Sequence, residues 1–416
     1  MLAVLSPGQG AQKPGFLMPW LDLPGAGARL RWWSVLAGVD LVRLGTTADA
    51  DEIKDTARTQ PLLVAAALLA AEQLSGGSRT AHRPAGLHDV AVVAGHSVGE
   101  LAAAALAGAL TPESAIALAA VRGREMAAAC ASQASGMAAV LGGDREEVLA
   151  AIDSHGLYAA NHNGTGQIVA AGASEQLEKF AAAPPPKSRA TVLKVAGAFH
   201  TPYMAAAEQA LATVAAGITP AEPNRILLSN LDGSTVSHGR ELLQRLVRQV
   251  TAPVRWDLCM QALVDLGVTG VLELPPAGTL AGLVKREFKN RTGPEVVALR
   301  TPDDLPAARD LMARHGMVPN RPVATSGRSQ STGRSHEPAT QFRVVVSASA
   351  GTFEPAAGLA EGDPITAGQL IGYVTTRHGP VDVAAHDDGA LTEWLAHHDD
   401  PVAPGQPLAR ISGSAL

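Results

Sequence analysis

Apolar residues along the first three hundred positions alternate between short continuous runs and longer stretches with helical spacing, and the two kinds follow one another along the chain. Val90-Ala91-Val92-Val93-Ala94-Gly95 is a short apolar run that opens, through His96-Ser97-Val98-Gly99-Glu100, directly into Leu101-Ala102-Ala103-Ala104-Ala105-Leu106. The pattern predicts strand, sharp turn, helix. Leu2 to Leu5 predicts a first strand, and Gln60-Pro61 opens a helix over Leu62 to Leu74 that is apolar nearly all round, so it belongs in the interior near that turn. Thr111 as N-cap and Pro112 at the first helical position start a helix carrying Arg122-Gly123-Arg124-Glu125-Met126. Ile226 to Asn230 and Val271 to Leu274 read as strands, with Glu241 to Val250 and Leu258 to Leu266 as helices between them and Ala307 to His315 as a last helix. Strands alternating with helices predict an α/β domain with a parallel sheet.

From Gly136 the pattern tightens. Met137 to Leu141, Leu157 to Asn161, Gln167 to Ala171 and Thr191 to Val195 read as strands, with helices at Arg145 to Ser154 and Ser174 to Ala182. The order βαββαβ is ferredoxin-like and predicts a small subdomain inserted in the larger one. Val318 to Thr340 is rich in Pro, Ser, Thr, Gly and Arg, without apolar periodicity, and predicts a disordered linker. Beyond it the chain repeats itself. Gly362-Asp363-Pro364-Ile365-Thr366-Ala367-Gly368-Gln369 recurs as Asp399-Asp400-Pro401-Val402-Ala403-Pro404-Gly405-Gln406, a shift of 37 positions (363 to 400). Two β-rich halves that bury an apolar face only against each other predict a pseudo-symmetric β-sandwich of about 70 residues.

Composition narrows the function classes. The hydrophobic share is 46% and no apolar run reaches membrane-span length, so no membrane association is expected, and the start of the chain lacks the charge of a signal peptide. These features predict a cytoplasmic protein. A net charge of -6 and 3% aromatic residues speak against nucleic-acid binding. Cys130 and Cys259 are the only cysteines, without metal-ligand spacing, and read as small core residues.

Gly95-His96-Ser97-Val98-Gly99 in its strand-and-helix setting is a nucleophile elbow that lifts the Ser97 hydroxyl above the end of the sheet, with the N-terminus of the following helix aimed at the same point. Serine needs a base, and neutral imidazole suits the task. Among 13 histidines, His200 stands out, because Ala198-Phe199-His200-Thr201-Pro202 delivers it from an apolar strand to the start of another helix. His96, next to the nucleophile, packs rather than acts. The loop Ser6-Pro7-Gly8-Gln9-Gly10-Ala11-Gln12 is either an ordinary strand-to-helix connection or a place where backbone N–H groups reach a ligand.

Six segments, Pro7 to Gln12, Gly95 to Glu100, Arg122-Gly123, Ala160 to Asn163, Ala198 to His200 and Pro253-Val254-Arg255-Trp256, occur in the order and spacing of malonyl-CoA:acyl carrier protein transacylases, which residues 1 to 315 resemble. The resemblance implies an α/β-hydrolase-like large domain with the ferredoxin-like insertion, and a Ser97/His200 dyad in place of a triad. It further implies backbone N–H groups of Gln9 and Val98 as an oxyanion hole, Arg122 as partner of the malonyl carboxylate, and a backbone carbonyl near Pro253 to Trp256 that orients the histidine. An arginine fork suits a carboxylate; the alternative for Arg122, as for Arg124, is a solvated helix charge. Asn161 and Asn163 either position the substrate or cap turns. Phe199 favours malonyl over methylmalonyl, since a ring there fills the room of an α-methyl group. The implied partners are malonyl-CoA and an acyl carrier protein, with neither metal nor bound cofactor, in fatty acid synthesis; the alternatives are a polyketide-pathway acyltransferase on a dedicated carrier, and a docking or scaffold protein with secondary transacylase activity.

The C-terminal repeat is similar to the biotinyl/lipoyl-carrier sandwich, with Thr375 to Pro380 where that family has its exposed hairpin. That family attaches its cofactor to a lysine, and the last lysine here is Lys289, so the expectation is a protein-interaction role without cofactor carriage. Lys285-Arg286-Glu287-Phe288-Lys289-Asn290-Arg291 is the densest basic run of the catalytic part and a candidate docking site for an acidic carrier. The expected domains are 1–135 with 198–316, an insertion at 136–197, a linker at 317–341 and the sandwich at 342–416.

Overall fold

The central sheet runs Thr235–Val236, Ile226–Leu228, Val90–Gly95, Leu2–Ser6, Gly270–Glu273, Glu295–Ala298. Its neighbours pair in parallel apart from the edge strand Thr235–Val236, which is antiparallel. This computed structural model describes residues 1–74, 79–80, 83–84, 90–164, 166–289, 292–316, 342–377, 379–385, 388–403 and 406–413. Leu2–Ser6 and Val90–Gly95 are buried on both faces, as strands in a helix-covered parallel sheet must be, which is why they read as unbroken apolar runs.

The long helix extends over Thr56–Leu74 and so begins before the predicted Gln60-Pro61 start. Asp55 supplies the start signal: its side chain accepts from the Ala57 N–H at 2.9 Å and its carbonyl from Thr59 at 2.8 Å. Pro61 therefore lies inside the helix. This helix packs along Pro112–Ser132, where Thr111 caps through the Ser114 N–H as expected, and a Cβ on Gly123 would sit 2.7 Å from the Thr56 carbonyl oxygen. The glycine thus lets the two helices approach closely enough for Gln60 and Arg122 to meet.

The inserted sheet has the order Tyr158–His162, Gln167–Ala173, Ser135–Gly142, Ser188–Val192, all antiparallel, with helices Arg145–Ser154 and Ser174–Ala182. Its last strand lies three residues before the predicted Thr191 to Val195, because Ser188 pairs with Gly142 at the far end of the neighbouring strand. Residues 193–201 consequently form a loop, and His200 arrives on that loop rather than straight off a strand. Val254 N–H to Ala160 O and His162 N–H to Val254 O, both 2.9 Å, tie the insert to the sheet-bearing part. The helix Ala26–Ala37, the strands Glu295–Ala298 and Thr235–Val236 and the helix Thr279–Glu287 were not legible in the pattern.

The chain divides into two compact units, 1–322 and 323–416. The expected linker, Val318 to Thr340, lies outside the described residues. The second unit contains two four-stranded sheets, Phe342–Val346, Pro407–Gly413, Gly389–Trp394, Pro364–Ile365 and Gly379–Ala384, Leu370–Thr376, Gly351–Pro355, Pro401–Val402. Phe353, Ile371, Val374, Leu391, Leu408 and Ile411 are buried in its core. The sequence repeat is a structural one. Asp363 accepts from Ala360 N–H and Asp400 from His397 N–H; Gln369 accepts from Thr366 N–H and Gln406 from Ala403 N–H; each pair is related by the same shift. Pro364–Ile365 and Pro401–Val402 are equivalent strands, one in each sheet. Among the described residues no helix is long and apolar enough to cross a membrane.

Candidate active site

The turn after Val90–Gly95 is crowded from both sides. A Cβ on Gly95 would lie 2.1 Å from the Gly99 carbonyl, and one on Gly99 would lie 2.2 Å from the Ser6 carbonyl oxygen. Both glycines are required by close approach, while the left-handed backbone falls on Ser97 itself, at φ 53°. Three hydrogen bonds hold that conformation: His96 N–H to Ser6 O at 3.0 Å, Ser97 N–H to Asn230 Oδ1 at 2.8 Å, and Asn230 Nδ2 to Gly95 O at 2.7 Å. The helix Gly99–Leu106 begins directly behind the serine, so its dipole end faces the hydroxyl.

His200 also has a left-handed backbone, φ 60°, and is buried. Its Nδ1 lies 2.8 Å from the Gln249 carbonyl oxygen, and its Nε2 lies 2.7 Å from Ser97 Oγ. The carbonyl can only accept, so Nδ1 carries the proton and Nε2 presents its lone pair to the hydroxyl. Burial, then the nearby Arg122 charge, lowers the imidazole pKa to about 3, so the ring is neutral at physiological pH. Among the described residues Ser97, His200 and a carbonyl, rather than a carboxylate, make up the relay.

Arg122 is buried, unlike the exposed Arg124. Its guanidinium donates to Gln60 Oε1 at 2.6 Å, to Gln249 Oε1 at 2.9 Å and to Ser97 Oγ at 3.3 Å. All three partners are neutral. Burial pulls its pKa down to about 10, which leaves it charged. A buried cation held by amides, with no carboxylate hydrogen-bonded to it among the described residues, is prepared for an anionic ligand beside the nucleophile.

The other predicted residues fall around this core. Gln9 lies in the loop after Leu2–Ser6, which abuts the elbow so closely that a Cβ on Gly8 would be 2.7 Å from His96 O; the Gln9 side chain turns away to donate to Lys54 O at 3.1 Å. Val98 is buried at the N-cap of the elbow helix. Phe199 is buried beside His200. Asn161 is buried and bridges to Val254 through its backbone, whereas Asn163 Oδ1 meets His96 Nε2 at 2.9 Å. The His96 ring packs edge-on against Trp256 with centroids 5.6 Å apart, and burial lowers its pKa.

Four polar residues of the site escaped the sequence reading: Gln60, Glu100, Asn230 and Gln249. Each is buried, and Gln60, Glu100 and Asn230 terminate or interrupt apolar elements. That interruption was the available signal: Glu100 is an acid leading an otherwise apolar helix, and Asn230 follows Ile226-Leu227-Leu228. Nothing local marked Gln249, which ends an amphipathic helix among other polar residues.

An elbow serine, a neutral histidine and a buried arginine over a parallel α/β sheet define the class of acyltransferases that work through a serine ester. The acyl transferase domain family matches residues 5–312. A malonyl CoA-acyl carrier protein transacylase of Mycobacterium tuberculosis is 50% identical over 311 residues, 75% of this chain and 100% of the relative. The crystal structure of the M. tuberculosis transacylase superposes with TM-score 0.69 at 50% identity, covering 74% of this chain and 99% of that one. A malonyl-transacylase solved in complex with its type II polyketide acyl-carrier protein gives TM-score 0.67 at 29% identity, with 74% and 99% covered. The chain belongs to the malonyl CoA-acyl carrier protein transacylase family. The family match stops before the C-terminal sheets.

Proposed function

We propose that the chain transfers a malonyl group from malonyl-CoA to the phosphopantetheine thiol of an acyl carrier protein, supplying fatty acid synthesis, through a malonyl ester on Ser97. One observation carries the site assignment: Ser97 Oγ lies 2.7 Å from His200 Nε2 and 3.3 Å from the Arg122 guanidinium. Ser97 Oγ attacks the thioester carbonyl while its proton passes to His200 Nε2. The developing oxyanion is met by the backbone N–H groups of Gln9 and Val98, assisted by the elbow helix dipole. Arg122 pairs with the malonyl carboxylate, which sits two bonds from the reacting carbonyl and so within reach of both groups. Collapse expels the coenzyme A thiolate, which takes the proton from His200. In the second half His200 removes the proton of the carrier thiol, the thiolate attacks the ester, and Ser97 regains its proton. The Gln249 carbonyl holds the ring throughout. Phe199 narrows the room beside the α-carbon and so favours malonyl over methylmalonyl, and Asn161 positions the substrate.

The large domain, residues 1–135 with 198–316, is α/β-hydrolase-like, and 136–197 is ferredoxin-like, a reading supported by the 2-3-1-4 order of its strands. Residues 342–416 form a biotinyl/lipoyl-like sandwich joined through 317–341. Lys285, Arg286 and Lys289 are exposed at the end of Thr279–Glu287 and suit an acidic carrier; Asn290 and Arg291 lie outside the described residues. We place the enzyme in the cytoplasm. The relative solved with a polyketide carrier keeps a second reading open, in which the acceptor belongs to polyketide assembly; transfer rates to the two kinds of carrier separate them.

The test is intact-mass analysis after mixing with malonyl-CoA, acetyl-CoA and methylmalonyl-CoA in turn. Malonyl-CoA should add one malonyl group, and Ser97→Ala should abolish the adduct. A malonylated Ser97→Ala protein would sink the assignment.

A further inference from the structure

The polar residues beneath the elbow form a single connected group, whose meaning rests on the roles just proposed for Ser97, His200 and Arg122. Glu100 is 1% exposed. Its carboxylate accepts from the Asn230 backbone N–H at 3.0 Å and from Gln249 Nε2. A carboxyl surrounded by donors suits the ionised form, which only accepts; a proton on it would point an O–H at one of those donors.

Gln249 is gripped at both ends of its amide. Nε2 donates to Glu100 and, at 3.1 Å, to Ser97 O, while Oε1 accepts from Arg122 at 2.9 Å. Turning the amide over would set its NH2 against the guanidinium and its oxygen against the carboxylate. The anion on one side and the cation on the other therefore fix its orientation. The backbone carbonyl of the same residue receives His200 Nδ1–H at 2.8 Å.

We propose that Glu100 is a positioning residue for acyl transfer: acting through Gln249, its carboxylate holds His200 and Arg122 in register with Ser97 without occupying the guanidinium itself. A direct Glu–Arg ion pair would compete with the substrate carboxylate. A pair relayed through a neutral amide balances the buried charge and leaves Arg122 available.

The arrangement has a pH signature. Burial raises the Glu100 pKa to about 7, whereas His200 lies at about 3 and Arg122 at about 10. Among the described residues the charged and titratable groups that face Glu100 are Arg122, from Pro112–Ser132, and Cys259, from Trp256–Asp265, whose thiol is pushed well above its usual value and stays uncharged. The strand side offers Ser229 and Asn230, and the end of Gly239–Arg248 offers Gln249, all uncharged. Near neutrality Glu100 is thus the member of this group that changes charge. It takes up a proton as the pH falls through about 7, and Gln249 then loses its anchor.

The experiment is the rate of malonyl-Ser97 formation, by rapid quench and intact mass, from about pH 5.5 to about pH 8.5 in the unmodified protein and in Glu100→Gln. The unmodified protein should slow below about pH 7. Glu100→Gln, which offers one acceptor oxygen where two are used, should be slower by about 10- to 100-fold at the top of the range and lose the acid limb. An acid limb that survives in Glu100→Gln, or an unchanged rate, overturns the proposal. Absence of any Ser97 adduct in the unmodified protein overturns the transacylase site assignment as well, whereas a pH-independent adduct overturns the role of Glu100 alone. Circular dichroism reports whether Glu100→Gln folds. If it does not, infrared spectra of the unmodified protein decide: a protonated-carboxyl band rising in step with the loss of rate supports the proposal, and a flat spectrum overturns it.

Discussion

Ser97 and His200 both occupy left-handed backbone, at φ 53° and 60°, a conformation that typically costs a non-glycine residue about 1–3 kcal/mol. The surrounding hydrogen bonds hold each in place, and the result is a hydroxyl and an imidazole nitrogen that meet without either side chain having to search. Arg122 is the third fixed point. With Gln60 and Gln249 as neutral hydrogen-bond partners, its guanidinium is left available to a ligand carboxylate. Arg122→Ala should therefore depress acyl-enzyme formation from malonyl-CoA by about 10- to 100-fold more than formation from acetyl-CoA, the range expected for a charge-assisted hydrogen bond. Competition between the two donors measures the ratio. Equal loss of both would make Arg122 a structural residue.

At the scale of elements, the site exists because backbone segments approach closely. The elbow leans on the end of Leu2–Ser6, and Gly99 sits where a side chain would enter the Ser6 carbonyl. Gly99→Ala should destabilise the fold by about 1–3 kcal/mol or more, because the obstacle is backbone and cannot swing away. Chemical denaturation reads the change; an unaltered midpoint would show that the strand and helix can separate at no cost. The helix pair Thr56–Leu74 and Pro112–Ser132 follows the same logic at Gly123, and that contact is what places Gln60 against Arg122.

On the scale of the whole molecule the two units have separate cores, and the M. tuberculosis relative is aligned in full within 311 residues. Malonylation of Ser97 should accordingly persist when residues 342–416 are removed. The strands Leu370–Thr376 and Gly379–Ala384 pair antiparallel as far as Thr376 and Gly379; His378 lies outside the described residues. No lysine follows Lys289 in the sequence, and a guanidinium is a poor acyl acceptor. Coexpression with biotin and lipoate ligases should leave the mass of the full chain unchanged. A gain matching either cofactor would refute the interaction role.

Much was written locally. The elbow, the capped helix at Thr111, the βαββαβ order and the 37-residue shift (363 to 400) all rest on periodicity, turn residues and caps, which act over a few positions and are therefore visible in the chain alone. So was the candidacy of Ser97 and His200, since each sits in a motif with its own chemistry, whereas Arg122 was picked out through the family resemblance. The tertiary structure decided what no local pattern encodes. It brought Ser97 and His200, 103 residues apart, to hydrogen-bonding distance, and showed that Arg122 is buried where its helix position alone left a solvated charge as the alternative. It also assembled Glu100, Asn230 and Gln249 from three elements into one hydrogen-bonded group. Pairing across such separations is set by which faces of the sheet and helices pack together. Burial then supplies the low dielectric that shifts every titrating group at the site.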